Sequence, residues 1–277
     1  MKKRRLTDEL CARSSEFFET IRTRLPNAFR GTDPEDIHQA RVASRKLREV
    51  LRMLEQIYPN SPRAVTVTKF RKKIIRLGRI MGLARELDVA RWYLKSPKSP
   101  IPPEVRAAAR TSLLGILDGK ARVALRRLRM NTHLKNLTLP RLDPAGRPPV
   151  GRDSLLARSL VVLRFRRAKS RFSRIRGRED VQRLHLLRIS MKKLRYSTEI
   201  LLPFLPGSLR EEGNRIKKIQ SVLGRLHDDH VTGEILGRAA GNLGKSGRDS
   251  ADRACQALRL DCEGQWKEFE RLRMPRI

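Results

Sequence analysis

Acidic residues are scarce in this sequence, which has 29 Asp+Glu against 63 Lys+Arg among its 277 residues. The formal net charge is therefore +34, and a compact chain with this surplus repels itself unless an anion is bound to it. The shortage of acid indicates a partner that is nucleic acid, an anionic membrane surface, or a polyanion without bases.

Other shortages exclude whole classes of protein. No run of apolar residues approaches the roughly 18 that a membrane span needs. Polar residues follow the basic start Met-Lys-Lys-Arg-Arg, so no secretory segment is expected. Three cysteines (Cys11, Cys255, Cys262) make no even set of disulfides, as is typical of the reducing cytoplasm. We therefore expect a cytoplasmic protein, whose 39% hydrophobic residues suffice for a folded core.

Alternating β-branched residues, typical of strands, are also lacking, and helical periodicity extends over most of the chain. The pattern predicts an all-α protein with helices at 7–30, 34–58, 62–80, 83–95, 103–131, 152–175, 179–205, 208–226, 228–242 and 249–271. A stretch rich in proline and glycine lies near the middle. We predict a single domain over 8–277, with an N-terminal helical repeat (8–139), a linker (140–151) and a C-terminal helical repeat (152–277).

Two motifs occur twice, in the same order. HQARVASRKLR at 38–48 matches HLLRISMKKLR at 185–195, and GLARELDV at 82–89 parallels GRLHDDHV at 224–231. Agreement at this many positions is unlikely to arise by chance, even in an arginine-rich chain. The motifs indicate a duplicated helical unit.

The first copy of the His-led motif is divided between cations and apolar residues. At about 100° per residue, one side of the helix carries His38, Arg41, Arg45, Arg48 and Arg52. The opposite side carries a stripe expected to face a core, made of Leu47, Val50, Leu51, Leu54 and Tyr58. The second copy repeats the cationic side with His185, Arg188, Lys192 and Arg195, but has Glu199 where the first has Arg52.

Further cationic stripes follow helical spacing without a histidine. They are Lys69, Lys72, Arg76 and Arg79; Arg164, Arg167, Arg171 and Arg174; and the shorter set Arg122, Arg126 and Arg129. One such stripe is usually only a solvated face. Several faces of a single sign are less readily explained in this way, because like charges at i,i+4 cost stability. Together they predict packed helices that present cationic ridges to a multivalent anion.

The duplicated H-x-x-R-[VI]-x-x-[RK]-K-L-R, each copy followed by G-x-x-[RH]-[ED]-x-x-V, resembles the CHAD family of conserved-histidine α-helical domains. The resemblance extends from about residue 8 to the C-terminus. It implies two pseudo-symmetric four-helix bundles around a basic central cavity or pore. It also implies binding of inorganic polyphosphate and association with polyphosphate granules. Few residues precede the first helix, so we expect a stand-alone member without the triphosphate-tunnel (CYTH) domain that many relatives carry.

The resemblance and the cationic stripes together nominate a set of polyphosphate-binding residues. The family's histidines and their accompanying cations correspond to His38, Arg41, Arg45, Lys46, Arg48, His185, Arg188, Lys192, Lys193 and Arg195. The stripes add Arg52, Lys69, Lys72, Arg76 and Arg79, and Lys218 completes the set. A histidine crowded by arginines is expected to be mainly neutral until bound phosphate raises its pKa. The alternative is a neutral histidine that only hydrogen-bonds a neighbouring helix.

Nucleic acid is the alternative partner. A charge of +34 would bind DNA non-specifically at low salt. Binders of single strands interleave cations with aromatic platforms, however, and this chain has only 5% aromatic residues. No zinc-finger spacing or other base-reading motif is present. We therefore favour polyphosphate and expect nucleic-acid binding to be weak and non-specific.

A second alternative is a metal-dependent phosphohydrolase. His227-Asp228-Asp229-His230 has two histidines at i,i+3, and His/Asp clusters activate water in such enzymes. The matching segment Arg85-Glu86-Leu87-Asp88 offers no such pair. We instead expect Glu86, Asp88 and Asp228 to form structural ion pairs, with stripe arginines of a neighbouring helix as the partners of Glu86 and Asp228. No nucleophile elbow or phosphate loop appears. The expectation is a binding protein with no catalytic residue, metal or cofactor.

Overall fold

The computed structural model describes residues 5–31, 33–59, 62–130, 137–142, 151–241 and 243–277. The described residues are all-α, and no strand occurs among them. The helices are α1 (Leu6–Arg30), α2 (Pro34–Ile57), α3 (Pro62–Lys95), α4 (Pro103–Met130), α5 (Asp153–Phe172), α6 (Val181–Leu201), α7 (Gly207–Glu211), α8 (Gly213–Ala240) and α9 (Lys245–Glu270). Most of the predicted linker, residues 143–150, lies outside the described residues.

Two predicted helix breaks are wrong. α3 is one helix of 34 residues where a break was predicted after residue 80, and α8 runs without interruption through residue 227. Gly82 and Gly224 lie close to the two positions, and glycine disfavours helix. In α3, however, a Cβ on Gly82 would lie 3.2 Å from Nη1 of Arg41. Gly82 therefore serves close packing against a neighbouring helix rather than a turn.

Each half is a set of four main helices, and the halves join along matching helices. α1 packs on α2, α2 on α3 and α3 on α4; in the second half α5 packs on α6, α6 on α8 and α8 on α9. Between the halves, α1 contacts α5, α2 contacts α6, α3 contacts α8 and α4 contacts α9. Every main helix thus contacts its own counterpart, as expected for two bundles related by a pseudo-twofold axis.

The start and the core face of α2 follow from its sequence. Asp33 caps the helix by accepting a hydrogen bond from the backbone N–H of Glu35 (2.8 Å), and Pro34 occupies the first turn. Leu47 and Leu51 are fully buried, and Leu54 is almost so. The predicted apolar stripe is therefore the core face, which leaves the cationic side of α2 directed away from it.

One of the predicted cationic stripes is wrong in part. Arg164 of α5 is buried, with its side chain only 7% exposed. It pairs with Glu49 of α2 at 2.8 Å and donates to Oε1 of Gln56 at 2.7 Å. Arg164 is therefore an ionic tie between the two halves, and α5 has no continuous cationic ridge.

None of the helices in the described segments is long and apolar enough to cross a membrane.

Candidate functional site

α2, α3, α6 and α8 meet at the junction of the halves, and basic side chains converge there. We call Arg41, Arg45, Arg48, Arg188 and Lys192 the central basic cluster. The i, i+4, i+7 spacing of the first three puts them on one face of α2, and the last two lie one turn apart on α6. α2 contacts α6, so the two copies of the His-led motif face each other. Their cations form a single site rather than two.

The arginines of α2 are crowded and partly buried. Burial, followed by the charge of Arg45, lowers the pKa of both Arg41 and Arg48 to about 10. Arg41 is also repelled by Arg188 from the other half. Arg45 interacts electrostatically with all four other members of the cluster. It is therefore the cation that couples the two halves of the site.

Within the cluster, Lys192 has the pKa that is lowered furthest from its usual value. Burial, followed by the charges of Arg188 and Arg45, lowers its pKa to about 6. An amine with this pKa is mostly neutral at pH 7. An anion placed beside it would favour the protonated form again, since an opposite charge nearby stabilises the charged state. The cluster thus lacks enough negative charge of its own.

A glycine of α3 gives Arg41 room. Arg41 donates from Nη1 to the carbonyl oxygen of Met81 at 3.4 Å, beside Gly82, where a Cβ would lie only 3.2 Å from Nη1. Gly78, one turn earlier, faces Arg48, but a Cβ there would make an ordinary contact at 3.8 Å from Cζ. Gly82 therefore lets the guanidinium group of Arg41 pack against the α3 backbone, which holds it at the site.

The two motif histidines border the cluster. His38 is half-buried, and its pKa is lowered by burial and then by Arg85 of α3. The pKa of His185 is lowered by burial, Arg188 and Lys192. The rings of His185 and His227 lie 5.2 Å apart, and burial lowers the pKa of His227 to about 3. The lowered pKa values favour the neutral form of all three rings, and an anion bound beside His38 or His185 would favour the protonated form.

The acidic residues at the junction differ in their contacts. Asp228 of α8 accepts a hydrogen bond at 3.3 Å from Nη2 of Arg188, which lies on the neighbouring helix α6. Glu86 interacts electrostatically with Arg41 and Arg188, but it forms no ion pair at contact distance with either of these arginines. Asp88 forms an ion pair with Arg91 on its own helix at 3.2 Å, which is a structural role as expected.

Several nominated cations lie beside the cluster or away from it. Nζ of Lys46 lies 5.5 Å from the ring centre of Phe17 on α1, away from the cluster. Arg195 lies over the ring of Tyr196 at 5.0 Å and pairs with Glu199. Arg52 pairs with Glu49, and burial and Arg52 lower the pKa of Lys193 to about 8. Arg52 and Lys193 extend the site along α2 and α6, respectively.

The remaining nominated cations form the α3 stripe and one position of α8. Five of these side chains are exposed and form no ion pair with a described residue: Lys69, Lys72, Arg76, Arg79 and Lys218. They are available to an anion that extends beyond the central basic cluster.

Arg85 was not nominated from the sequence, although it interacts with His38 more strongly than Arg41 or Arg45 does. Its place in the Gly-led motif, one turn after Gly82, was the available signal. The motif spacing alone does not reveal which neighbouring helix it faces.

The histidine pair at 227 and 230 does not assemble a metal site in the described part of the chain. His230 pairs with Glu234 at 3.4 Å, whereas His227 faces His185. Across these segments, no group of three or more His, Cys, Asp or Glu side chains is arranged to hold a metal ion.

The fold defines a class of protein: all-helical, with two matched halves that share a partly buried basic cluster. The model of the CHAD domain family matches residues 12–237, so the chain belongs to the CHAD domain family. Among curated proteins, no sequence matches the chain.

Two solved structures share the fold. The crystal structure of the CHAD domain from the plant Ricinus communis is 22% identical, with a TM-score of 0.68, and the match covers 99% of this chain and 94% of that one. PptA from Streptomyces chartreusis is 14% identical, with a TM-score of 0.61 and coverage of 95% and 98%. At these identities the similarity concerns the fold alone.

Proposed function

We propose that this protein binds inorganic polyphosphate, without catalysis, at the central basic cluster. The observation that supports the proposal most directly is the convergence of three arginines of α2 with Arg188 and Lys192 of α6, where burial and the neighbouring arginines lower the pKa of Lys192 to about 6. A site that holds this many cations with so little negative charge is suited to a dense anion. Membership of the CHAD family supports the same conclusion, because the family resemblance implies polyphosphate.

The arrangement of the cations favours a linear ligand. The cluster lies where α2 meets α6, and Arg52 of α2 and Lys193 of α6 extend it along these two helices. A chain of phosphates that binds at the cluster can therefore continue over the surface. Each arginine can donate two parallel hydrogen bonds to phosphate oxygens, while lysine offers a mobile point charge.

Aromatic side chains do not interleave with these cations in a way that would favour bases. Tyr196 is the aromatic residue nearest the cluster, yet it is 95% buried and Arg195 lies over its ring. Stacking of bases on Tyr196 would require it to leave the core. Nucleic acid is thus the weaker candidate, and its binding would rest on the phosphate backbone alone.

Binding of long-chain polyphosphate and of duplex DNA at near-physiological salt tests the proposal. The variant Arg45→Ala/Arg188→Ala/Lys192→Ala removes three cations of the cluster. We expect it to lose about 1,000-fold or more in polyphosphate affinity, since three charge-assisted contacts of about 1.5 kcal/mol each sum to about 4.5 kcal/mol. DNA binding should be weak for both proteins.

A matched control removes the same number of cations elsewhere. Arg110, Arg122 and Arg126 are exposed on α4, so their triple alanine variant changes the net charge by the same amount. We expect its polyphosphate affinity to fall by less than about threefold, through long-range electrostatics alone. Equal losses in the two triple variants would mean that the charge acts generically and would refute the proposed site.

Neighbouring residues on α2 sharpen the location. Arg45 belongs to the cluster, whereas Lys46 lies over Phe17 on the other side of the helix. We expect Arg45→Ala to weaken polyphosphate binding and Lys46→Ala to leave it almost unchanged. The reverse order would place the ligand on the α1 side of α2.

The absence of catalysis is part of the proposal and needs its own measurement. Polyphosphate incubated with protein that has been treated with EDTA, and then with added Mg²⁺ or Mn²⁺, should keep its chain length. Release of orthophosphate only when metal is present would instead favour the phosphohydrolase. For a protein that binds in this way, we further propose a cytoplasmic location at polyphosphate granules, which fluorescent tagging of the wild type and the triple cluster variant would test.

A further inference from the structure

A second cavity lies in the C-terminal half, in a cleft between α6, α8 and α9. Its volume is about 580 Å³, which is in the range of sites for small organic molecules. The buried side chains of Leu223, Leu226 and Leu258 form an apolar floor. His185 and His227 line one wall. We call this cavity the α6–α8–α9 cleft.

The charge of the cleft is opposite to that of the protein as a whole. Two arginines line it, Arg178 and Arg259, against five carboxyl groups. These five are Glu179, Asp229, Glu234, Asp252 and Glu263. Arg178 is already shared between Glu179 at 2.9 Å and Glu263 at 2.6 Å. Burial raises the pKa of Asp229 to about 7, so that group is only partly ionised at pH 7, but the other four carboxyl groups still outnumber the two arginines. In a chain with a net charge of +34, the cleft is a local region of acidic surplus.

One of the carboxyl groups is buried without a cation. Asp229 is 1% exposed, and its oxygens accept hydrogen bonds from the hydroxyl of Tyr93 and from Nε2 of Gln265. A third donor, Sγ of Cys262, lies 3.8 Å from Oδ2. All three donors are neutral, and no Lys or Arg of the described segments forms an ion pair with Asp229. At the rim, Asp252 is exposed and likewise has no ionic partner within those segments.

The backbone of α8 leaves the cleft open. Gly233 and Gly237, one turn apart, line the cavity, and a Cβ at either position would meet no atom within 4 Å. A glycine inside a helix costs about 1 kcal/mol relative to alanine, so the open space is not explained by local stability. Side chains of moderate size would fit there and would reduce the volume.

We infer that the α6–α8–α9 cleft binds a small organic cation, an amine with an apolar body. The apolar body packs on the leucine floor, and the ammonium group meets the carboxylates of the cleft. Charge complementarity decides between ligand classes, because phosphates and carboxylates would be repelled by the same acids. The cleft shares His185 with the border of the proposed polyphosphate site, but the inference does not rest on polyphosphate binding, because no cation of the central basic cluster lines the cleft.

Two isosteric probes of opposite charge test this inference. Tryptamine and indole-3-propionate share the indole ring but end in an ammonium and a carboxylate. Titration of protein labelled at leucine methyl groups reports on Leu223 and Leu258 at the floor. We expect tryptamine to shift both resonances saturably and to bind there about tenfold more tightly than indole-3-propionate, a difference typical of one ionic contact in a cleft.

Two variants, each with a matched control, locate the effect. Asp252→Asn should weaken tryptamine binding severalfold, whereas Asp249→Asn, also an exposed acid of α9 but outside the cleft, should not. Gly233→Leu should fill the cavity and abolish the shifts. Gly115→Leu on α4, where an added Cβ also meets no atom within 4 Å, should have no effect. Circular dichroism confirms that each variant is folded.

Three results would overturn the inference. Absence of saturable shifts at Leu223 and Leu258 would show that tryptamine does not enter the cleft. Shifts that persist in folded Gly233→Leu would place tryptamine elsewhere. Equal affinity for the two probes would leave an apolar cavity that does not select for charge. None of these results bears on polyphosphate affinity, which the triple cluster variant measures separately.

Discussion

Gly82 of α3 leaves room for the guanidinium group of Arg41 of α2, since a Cβ at position 82 would lie 3.2 Å from Nη1 of Arg41. This distance is shorter than an ordinary contact with a Cβ, so alanine at position 82 must displace the guanidinium by a few tenths of an ångström. The end of an arginine side chain can move that far at little cost. The effect of the substitution should therefore fall on the site rather than on folding.

We expect Gly82→Ala to reduce polyphosphate affinity about threefold, because Arg41 loses its position in the cluster. Stability should stay the same or increase, by up to about 1 kcal/mol, from the better helix propensity of alanine. Gly119→Ala on α4 is the control, since its Cβ would meet no atom within 4 Å. Calorimetric titration and urea denaturation measure the two effects. A loss of stability without a change in affinity would contradict this role of Gly82.

Lys192 should make the free energy of unfolding depend on pH. The amine has a pKa of about 6 in the folded protein against a usual value of 10.5. Between these values the unfolded chain binds more protons, so stability rises with pH through this window, and the full penalty is present below pH 6. Lys192→Met removes the penalty. We expect it to stabilise the protein by about 1 kcal/mol or more at pH 7, and by less at pH 9.

The control for this prediction is Lys218→Met, which replaces an exposed lysine of α8. Urea denaturation of the wild type and both variants at pH 6, 7 and 9 gives the comparison. A pH-independent gain in Lys192→Met would mean that the methionine improves packing only and that the buried amine is not under electrostatic strain.

Polyphosphate binding should strengthen as the pH falls from 8 to 6. The pKa values of His38, His185 and Lys192 are all lowered, with burial the largest cause and neighbouring cations next. A bound polyanion raises these pKa values, so binding takes up protons and is favoured by acid. Calorimetry in buffers of different ionisation enthalpy counts the protons. Zero uptake at pH 7 would contradict the prediction.

Substituting the two motif histidines separates their part of this effect from that of Lys192. We expect His38→Gln/His185→Gln to reduce the proton uptake on binding while leaving stability nearly unchanged, since neither ring is fully buried. If the uptake is the same as in the wild type, the histidines have a structural role only and Lys192 alone titrates.

Asp228 should moderate the affinity of the cluster. Its carboxylate accepts a hydrogen bond from Arg188 at 3.3 Å and occupies a donor that a phosphate would otherwise use. We expect Asp228→Asn to raise polyphosphate affinity about threefold and to cost less than about 1 kcal/mol of stability, because the Asp228 side chain is 41% exposed and solvent screens its ion pair. Glu104→Gln on α4 is the control for net charge. Weaker binding in Asp228→Asn would show that Asp228 positions Arg188 for the ligand.

The ion pair between Arg164 and Glu49 should be important for stability. Both side chains are less than 10% exposed, and the pair joins α5 to α2. Removing one partner leaves a buried charge without compensation, so Glu49→Ala should destabilise the protein by about 3 kcal/mol. Arg167→Ala, which removes an exposed arginine one turn further along α5, should change stability by less than about 0.5 kcal/mol. Similar values for the two variants would contradict a structural role of the pair.

The helical class, the duplicated unit and the cationic face of α2 were predictable because they depend on periodicity within one helix. The continuity of α3 was not, since glycine at 82 has the same local propensity whether it ends a helix or makes room for Arg41. Lys46 and Arg45 are adjacent in sequence but face different helices, as their angular separation on α2 requires. Arg164 could not be distinguished from the exposed arginines of α5, because only the packing against α2 brings Glu49 beside it.

Both halves contribute cations to the central basic cluster, so like charges must approach each other when the halves assemble. Domains fold from the N-terminus during synthesis, so α2 can present Arg41, Arg45 and Arg48 to water before α6 exists. When the second half arrives with Arg188 and Lys192, the two surfaces that must meet carry the same sign. Electrolyte screens this repulsion, so the rate at which the halves join should increase with ionic strength. That dependence is the reverse of the one seen when opposite charges steer an encounter.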